Sequence, residues 1–417
     1  MKEQIINIAK NAAGATGVLA GLSSLEKNRI LEEMARALIK NIGVILKANK
    51  KDLILAKKAK LSVALVDRLA LDEKRIKEMA NCLLSVAKLD DPVGKEIKSW
   101  DSPSGLQIHK VRVPIGVIAI IYESRPNVTA DCIGLSFKSG NSVILRGGSE
   151  ALNSNIAIFR AIEEVIRSNN LPEGIINLIT TKDRKAIDVL LKLNKYIDLV
   201  MPRGGENLIK RVVSLSRIPV IKHYKGICHV YVDDYADLNM AERICFNAKV
   251  ERPGVCNAME SMLVHRDVAV RFLPLMIKKF KEAGVELRGC PITKKIAKGG
   301  IRLATDKDYR TEYLDLILSV KVVGTIDEAI AHINKYGSHH SDSIITEDES
   351  NAREFLKKVD SACVYVNAST RFTDGNQFGM GAEIGISTDK LHARGPMALE
   401  ELTTYKYTIF GNGQIRE

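Results

Sequence analysis

Aromatic residues make up only 5% of this 417-residue chain, and none falls inside its densest basic run, Lys47 to Lys60. A surface built for single-stranded nucleic acid interleaves cations with rings on which bases stack, so that run reads as a solvated helix face. No stretch approaches ~18 uninterrupted apolar residues, which excludes an ordinary membrane-spanning helix. The seven cysteines (Cys82, Cys132, Cys228, Cys245, Cys256, Cys290 and Cys363) form no CxxC pair. An odd, scattered set argues for thiols in a reducing compartment, the cytoplasm, and against a cysteine-based zinc site. The amino-terminal MKEQIINIAKNAAGATGVLAG is amphipathic with charges inside it, unlike a signal peptide. Neither a GxxxxGK[ST] phosphate loop nor an HExxH zinc motif occurs. Gly379-Met-Gly381-Ala-Glu-Ile-Gly385 approaches a dinucleotide fingerprint, but its third glycine falls one position late and no clear strand precedes it.

What is present is an excess of cations: 62 Lys+Arg against 50 Asp+Glu, a net charge of +12. Such a balance suits nucleic acid, an acidic small-molecule site, or only a lysine-rich surface. The length suits two or three domains of ~100–200 residues each.

The first ninety residues read as helices. Ser23 and Glu26 have capping-box spacing, and Ile30, Met34, Leu38 and Ile42 follow as one apolar stripe. A turn at Asp101–Gly105 and alternation from Leu106 to Val113 predict a strand pair. Beyond it, short apolar runs at 117–121, 142–145, 175–179, 197–201 and 219–222 alternate with helical patterns near 127–139, 151–168, 182–193 and 205–214. A second series places strands near 228–232, 259–264, 316–323, 341–345 and 362–366, with helices near 237–249, 267–282, 327–336 and 349–359. Strand and helix alternating at this interval predict parallel, doubly wound α/β sheets. A last strand-like segment runs from Thr403 to Phe410.

The most informative segment is Glu251-Arg-Pro-Gly-Val-Cys256-Asn-Ala-Met-Glu260. A helix ends, a Pro-Gly turn intervenes, and one Cys stands just before a new strand. A nucleophilic thiol needs a setting that stabilises thiolate, which Arg252 and loop N–H groups are placed to supply. On composition alone a small buried hydrophobe fits as well.

With Cys256 in place, the chain resembles the aldehyde dehydrogenase superfamily over essentially its whole length. Within it, the likeness is to the family of reductases that act on L-glutamyl 5-phosphate in proline biosynthesis. The resemblance is carried by Val113-Pro-Ile-Gly-Val-Ile-Ala-Ile-Ile-Tyr-Glu-Ser-Arg-Pro-Asn127, by Gly140 to Glu150, by the Cys256 turn, by Val323 to Ile344 with its Gly-Ser-His339-His340-Ser-Asp342, and by Arg394 to Thr403 with Lys406.

The resemblance implies an aldehyde dehydrogenase-like α/β fold. An NADPH-binding domain would span 1–226 with an oligomerisation hairpin near 100–113, a catalytic domain 227–365, and a return segment with a carboxy-terminal oligomerisation strand 366–417. It also implies reduction of L-glutamyl 5-phosphate to L-glutamate 5-semialdehyde with release of phosphate. Cys256 would be the nucleophile and form a thioester. Asn127 would be an oxyanion donor, although capping of its own helix fits it equally. Arg125, Arg252 and Arg371 would grip the substrate's anions, joined by His223. His339 and His340, adjacent on a turn, would contact phosphate or simply be exposed or capping. Arg146 with Ser149 would sit by the adenosine ribose, suiting NADPH; Arg203, Gly204 and Gly205 would meet the pyrophosphate, and Glu312 the nicotinamide ribose. No metal is expected, because no carboxylate or Cys at ligand spacing joins the paired histidines. Hydrolytic superfamily members carry a water-activating Glu where this chain has Lys222-His223-Tyr-Lys-Gly226, which disfavours simple aldehyde oxidation.

A homo-oligomer is expected, with contact to the glutamate 5-kinase that makes the labile acyl phosphate, and neither nucleic acid nor membrane as partner. Two rivals remain: another CoA- or phosphate-dependent acyl reductase of the superfamily, and a basic nucleic-acid-binding protein. The Arg residues named above leave most of the +12 to surface lysine.

Overall fold

The computed structural model describes residues 1–416, apart from the side chains of Val63 and Ala64. The chain divides into two compact units: 1–222 with 379–385 and 397–417, and 223–378 with 386–396. Residues 366–417 are thus shared between both.

In the first unit, Val117–Tyr122, Ser142–Arg146, Ile176–Leu178 and Leu199–Arg203 form a parallel sheet with Val117–Tyr122 and Ser142–Arg146 in its middle. Both central strands are buried throughout, as an apolar run covered on two faces must be. Helix Lys2–Ala20 packs Ile5, Ala9 and Ala12 against this sheet. The predicted strand 219–222 is reduced to one bridge, Val200 to Val220; Pro219 has no N–H to extend a ladder. The capping box at Ser23–Glu26 forms, and Ile30, Met34 and Leu38 are buried. Ile42 lies beyond that helix, which stops at Lys40, and starts Ile42–Lys58 instead. A three-stranded antiparallel sheet joins Glu96–Asp101, Gln107–Pro114 and Thr403–Phe410 in that order.

The second unit is a seven-stranded sheet in the order Arg302–Leu303, Glu286–Gly289, Ile317–Val323, Met259–His265, Cys228–Val232, Ser341–Ile345, Cys363–Val366, parallel throughout. Helices Leu238–Val250 and Arg266–Glu282 cover one face with Cys245, Phe272 and Met276. Helices Ile326–Tyr336 and Glu349–Lys358 cover the other with Ile330, Ile333 and Phe355. The short strand Glu286–Gly289 and the edge strand Arg302–Leu303 carry too little apolar pattern to be read from sequence. Adjacent Cys228–Val232, Met259–His265 and Ser341–Ile345 bring the turns bearing residues 226, 256 and 340 to one place, and there the site forms.

Candidate active site

Cys256 sits in the loop between helix Leu238–Val250 and strand Met259–His265. The residue is half-buried, while Asn257 beyond it is buried. The loop is held from several sides. Asn257 Nδ2 donates to the Thr373 carbonyl at 2.9 Å and to that of Arg371 at 3.3 Å, and Thr370 Oγ1 donates to the Asn257 carbonyl at 2.7 Å. Arg371 returns a guanidinium N–H to Asn257 Oδ1 and binds Glu251 at 2.8 Å. The Cys256 carbonyl accepts from the buried Cys228 thiol at 3.2 Å. Below it lies Gly226, where an added Cβ would stand 1.9 Å from that carbonyl oxygen, so no other residue fits without moving the loop.

Two histidines converge on the thiol. Cys256 Sγ and one ring nitrogen each of His223 and His340 lie within 4.8 Å of one another. Both rings face the thiol closely enough to favour its anion, His340 the more strongly. Burial alone pushes the Cys256 thiol up, but these imidazoles outweigh it and hold the thiol well below its ordinary value. Each ring is oriented from behind. His223 Nδ1 meets the Ile386 carbonyl at 3.0 Å. His340 Nδ1 meets Ser341 Oγ at 2.9 Å, which bonds Thr373 Oγ1 at 2.6 Å, itself 2.7 Å from the Tyr365 hydroxyl.

The two adjacent histidines part company. His340 is fully buried beside the thiol, whereas His339, at φ +60°, bonds the backbone carbonyl of Asp360. The expectation that no Cys joins the paired histidines is corrected: His340 alone of the pair meets Cys256, and His223 arrives from a distant turn. Arg252 is exposed, and the groups that favour the Cys256 anion are the two histidines. Arg371, expected to grip substrate, is engaged with the loop itself.

Glu312 Oε1 accepts from the Gly226 N–H at 2.8 Å. Burial raises its carboxyl above the usual range. The following turn is fixed by Glu260, which accepts from Leu314 N at 3.0 Å and from Lys249 Nζ at 2.7 Å, both partners of that ion pair being buried. Burial pushes Glu260 up to about 7 and pulls Lys249 down, the cost of desolvating both charges. Lys249 and Glu260 thereby tie together the two ends of the Cys256 loop. Sequence reasoning missed Gly226, Cys228, Ser341, Thr373 and this ion pair. Only the Gly after an apolar strand-like run carried a signal, as a residue type suited to close approach.

In the first unit, Arg146 ends a central strand with its side chain buried; Nη1 donates to the Gly147 carbonyl at 2.9 Å, and Nε has no partner among the described residues. Burial lowers its pKa. Ser149 is exposed at the start of a short 3-10 turn before helix Leu152–Ser168. Arg203, Gly204 and Gly205 lead into helix Glu206–Leu215, with Gly205 as N-cap. A Cβ at Gly204 would stand 2.4 Å from the Glu123 carboxylate, which accepts from Gly205 N at 2.9 Å. Arg125 is half-buried in the turn before helix Asn127–Lys138. Asn127 opens that helix, exposed, and donates to Asp131 at 2.9 Å; Pro126, not Asn127, is the N-cap.

The sequence profile of the aldehyde dehydrogenase family matches residues 1–295 and 305–407. A curated gamma-glutamyl phosphate reductase from Thermoanaerobacter pseudethanolicus is 59% identical over 409 residues, 98% of this chain and 99% of the relative. The crystal structure of a gamma-glutamyl phosphate reductase from Thermotoga maritima superposes with a TM-score of 0.96 at 48% identity, covering 99% of this chain and 100% of that one. A glyceraldehyde-3-phosphate dehydrogenase from Methanocaldococcus jannaschii, complexed with NADP, shares the fold at a TM-score of 0.69 and 18% identity, covering 99% and 95%.

Proposed function

The chain belongs to the aldehyde dehydrogenase family of oxidoreductases, and from that premise we propose that it reduces L-glutamyl 5-phosphate to L-glutamate 5-semialdehyde, the second step of proline biosynthesis from glutamate. The observation that carries the reading is a thiol held toward thiolate by two oriented histidines, in a site with histidine where hydrolytic relatives carry a carboxylate.

Cys256 Sγ attacks the acyl carbon; the bond from that carbon to the phosphate oxygen breaks, and phosphate leaves as an anion with a thioester on Cys256. Phosphate needs little acid help to depart. The Cys256 backbone N–H and the Asn127 amide stabilise the developing oxyanion. His340 and His223 keep the thiol ionised before attack and accept its return afterwards. With no carboxylate in Lys222–Gly226 to activate water, the thioester persists for reduction. Arg125, Arg252 and His223 bind the anionic substrate, and His340 faces the reacting centre; His339 orders the turn instead.

The family uses nicotinamide cofactors, and Arg146 here fits one, with a buried Nε that has no partner among the described residues. Arg146 and Ser149 would hold the ribose with its 2′-phosphate, hence NADPH, with Arg203, Gly204 and Gly205 at the pyrophosphate and Glu312 at the nicotinamide ribose. When bound in reduced form, the group supplies hydride to the thioester carbon. Cys256 then leaves as thiolate and frees the aldehyde.

A homo-oligomer completes the proposal. Strand Thr403–Phe410 is a free sheet edge carrying exposed Tyr405, Tyr407, Ile409 and Phe410, with Trp100 two strands away, a surface that natural proteins cover. No helix among the described residues is long and apolar enough to cross a membrane. A cytoplasmic enzyme in contact with its kinase fits, and co-sedimentation of the two tests the contact. The reaction is tested backwards, with glutamate semialdehyde, NADP+ and phosphate, following reduced cofactor. A strict phosphate requirement is expected; turnover without phosphate overturns the assignment.

A further inference from the structure

We propose that Cys256, His223 and His340 form a three-ligand site for a soft divalent cation of the zinc class, which holds the enzyme in a reversibly inactive form. The three ligand atoms lie within 4.8 Å of one another. A tetrahedral zinc with Zn–S near 2.3 Å and Zn–N of ~2.0–2.1 Å sets its ligand atoms about 3.3–3.6 Å apart. Closing that gap needs a movement of roughly 1 Å shared among three side chains, which χ rotation supplies.

The surroundings are already those of a metal site. Ligating histidines usually commit their other ring nitrogen to a carbonyl or side-chain oxygen, which fixes the ring and its tautomer. His223 Nδ1 does so with the Ile386 carbonyl at 3.0 Å, and His340 Nδ1 with Ser341 Oγ at 2.9 Å. The Nε2 of His340, on a fully buried side chain beside the thiol, has no hydrogen-bond partner among the described residues. An orphaned buried ring nitrogen is costly, and a cation offers it a bond.

The donor set selects the ion. One thiolate and two imidazoles suit zinc and its neighbours rather than magnesium or calcium, which prefer oxygen. Three protein ligands leave a fourth position for water. Bound there, the ion ties up the sulfur lone pair that would attack substrate, and no bond to substrate forms. A second cluster, Asp234, His265 and Asp267, is as compact. Its Asp267 is exposed, however, and His265 Nδ1 accepts from Asp267 N as a helix cap. That cluster is the natural competitor in an experiment.

The site stands on geometry and not on the identity of the substrate, so it is tested by binding. Chelator-stripped full-length protein is titrated with Zn2+ against a chromophoric competitor, and with Co2+ as a spectroscopic probe. One equivalent is expected to bind at micromolar concentration or tighter, with a thiolate-to-cobalt charge-transfer band. Alkylating Cys256 on the folded wild-type chain, or making Cys256→Ser, is expected to remove the band. His223→Ala and His340→Ala are each expected to weaken Zn2+ at least tenfold, with circular dichroism showing the fold kept, and His265→Ala is expected to change nothing. One equivalent of Zn2+ stops turnover and a chelator restores it. Zn2+ affinity unchanged in both active-site histidine variants, binding lost in His265→Ala, or no stoichiometric binding would each overturn the proposal.

Discussion

Gly226→Ala places one methyl group under Cys256. The new Cβ would lie 1.9 Å from the Cys256 carbonyl oxygen and 2.5 Å from its carbonyl carbon and Cα, against a floor of 3.0 Å for real Cβ contacts. The neighbours are backbone and cannot rotate away, so the Cys256 loop must move by about 1 Å. That loop is pinned on its far side through Asn257, Arg371 and Thr370, so the displacement falls on the thiol and its carbonyl. A misplacement of this size costs about 10²-fold in rate, equal to about 2.7 kcal/mol of transition-state stabilisation. Overpacking adds ~1–3 kcal/mol of lost stability. The assay is kcat under saturating substrate and cofactor, with thermal unfolding alongside. Gly43→Ala, in helix Ile42–Lys58 with nothing within 4 Å of the added methyl, serves as control and is expected to be neutral or mildly stabilising. A Gly226→Ala enzyme with wild-type kcat would refute the claim that this glycine sets the position of Cys256.

Lys249→Met strands Glu260 as an unpaired buried carboxylate and is expected to cost ~3 kcal/mol, with the Lys249→Met/Glu260→Gln pair much closer to wild type. Because Glu260 is raised to about 7, above its unfolded value, it favours folding most below pH ~4.5 and loses that contribution as pH rises toward 7. The Lys249→Met defect should therefore be smaller at pH 5 than at pH 8 in denaturant melts, and a defect independent of pH would count against it. Asp308, lowered to about 2 where burial is outweighed by bonds from Thr305 and Arg288, contributes above pH ~4 and stops contributing as pH falls through 2. Asp308→Asn is expected to destabilise by about 1 kcal/mol at pH 7 and by much less at pH 2, and equal loss at both would exclude the ion pair as the cause. Arg146→Leu is expected to raise KM for NADPH by ~10–100-fold, the worth of a hydrogen bond to a charged group, and to leave KM for NADH little changed. Equal effects on both cofactors would remove Arg146 from the 2′-phosphate.

The Cys256 loop was legible because a Pro-Gly turn between a helix and a strand announces an exposed backbone. The two histidines that meet its thiol were not. His339 and His340 are neighbours of one type, and the left-handed backbone at His339 decides which of them faces the thiol; sequence pattern carries no such information. His223 is 33 positions from Cys256 in the chain and arrives only because parallel pairing sets Cys228–Val232 beside Met259–His265. The same long-range pairing hid Cys228, Ser341 and Thr373. Arg252 was the nearest cation along the chain, yet it is exposed while the groups that meet the thiol are histidines from other turns. Most strands of both sheets were legible from their apolar runs; Glu286–Gly289 and Arg302–Leu303 were not, because the first alternates in burial over only four residues and the second is two exposed residues.

The account turns on a covalent thioester at Cys256. Its most direct test mixes the enzyme with L-glutamyl 5-phosphate in the absence of any nicotinamide, quenches with acid, and maps the peptide carrying residues 252–258 by mass spectrometry. One glutamyl group per chain on Cys256, released by hydroxylamine and absent from Cys256→Ser, is the predicted result. Phosphate release without an adduct, or an adduct on another residue, would contradict it.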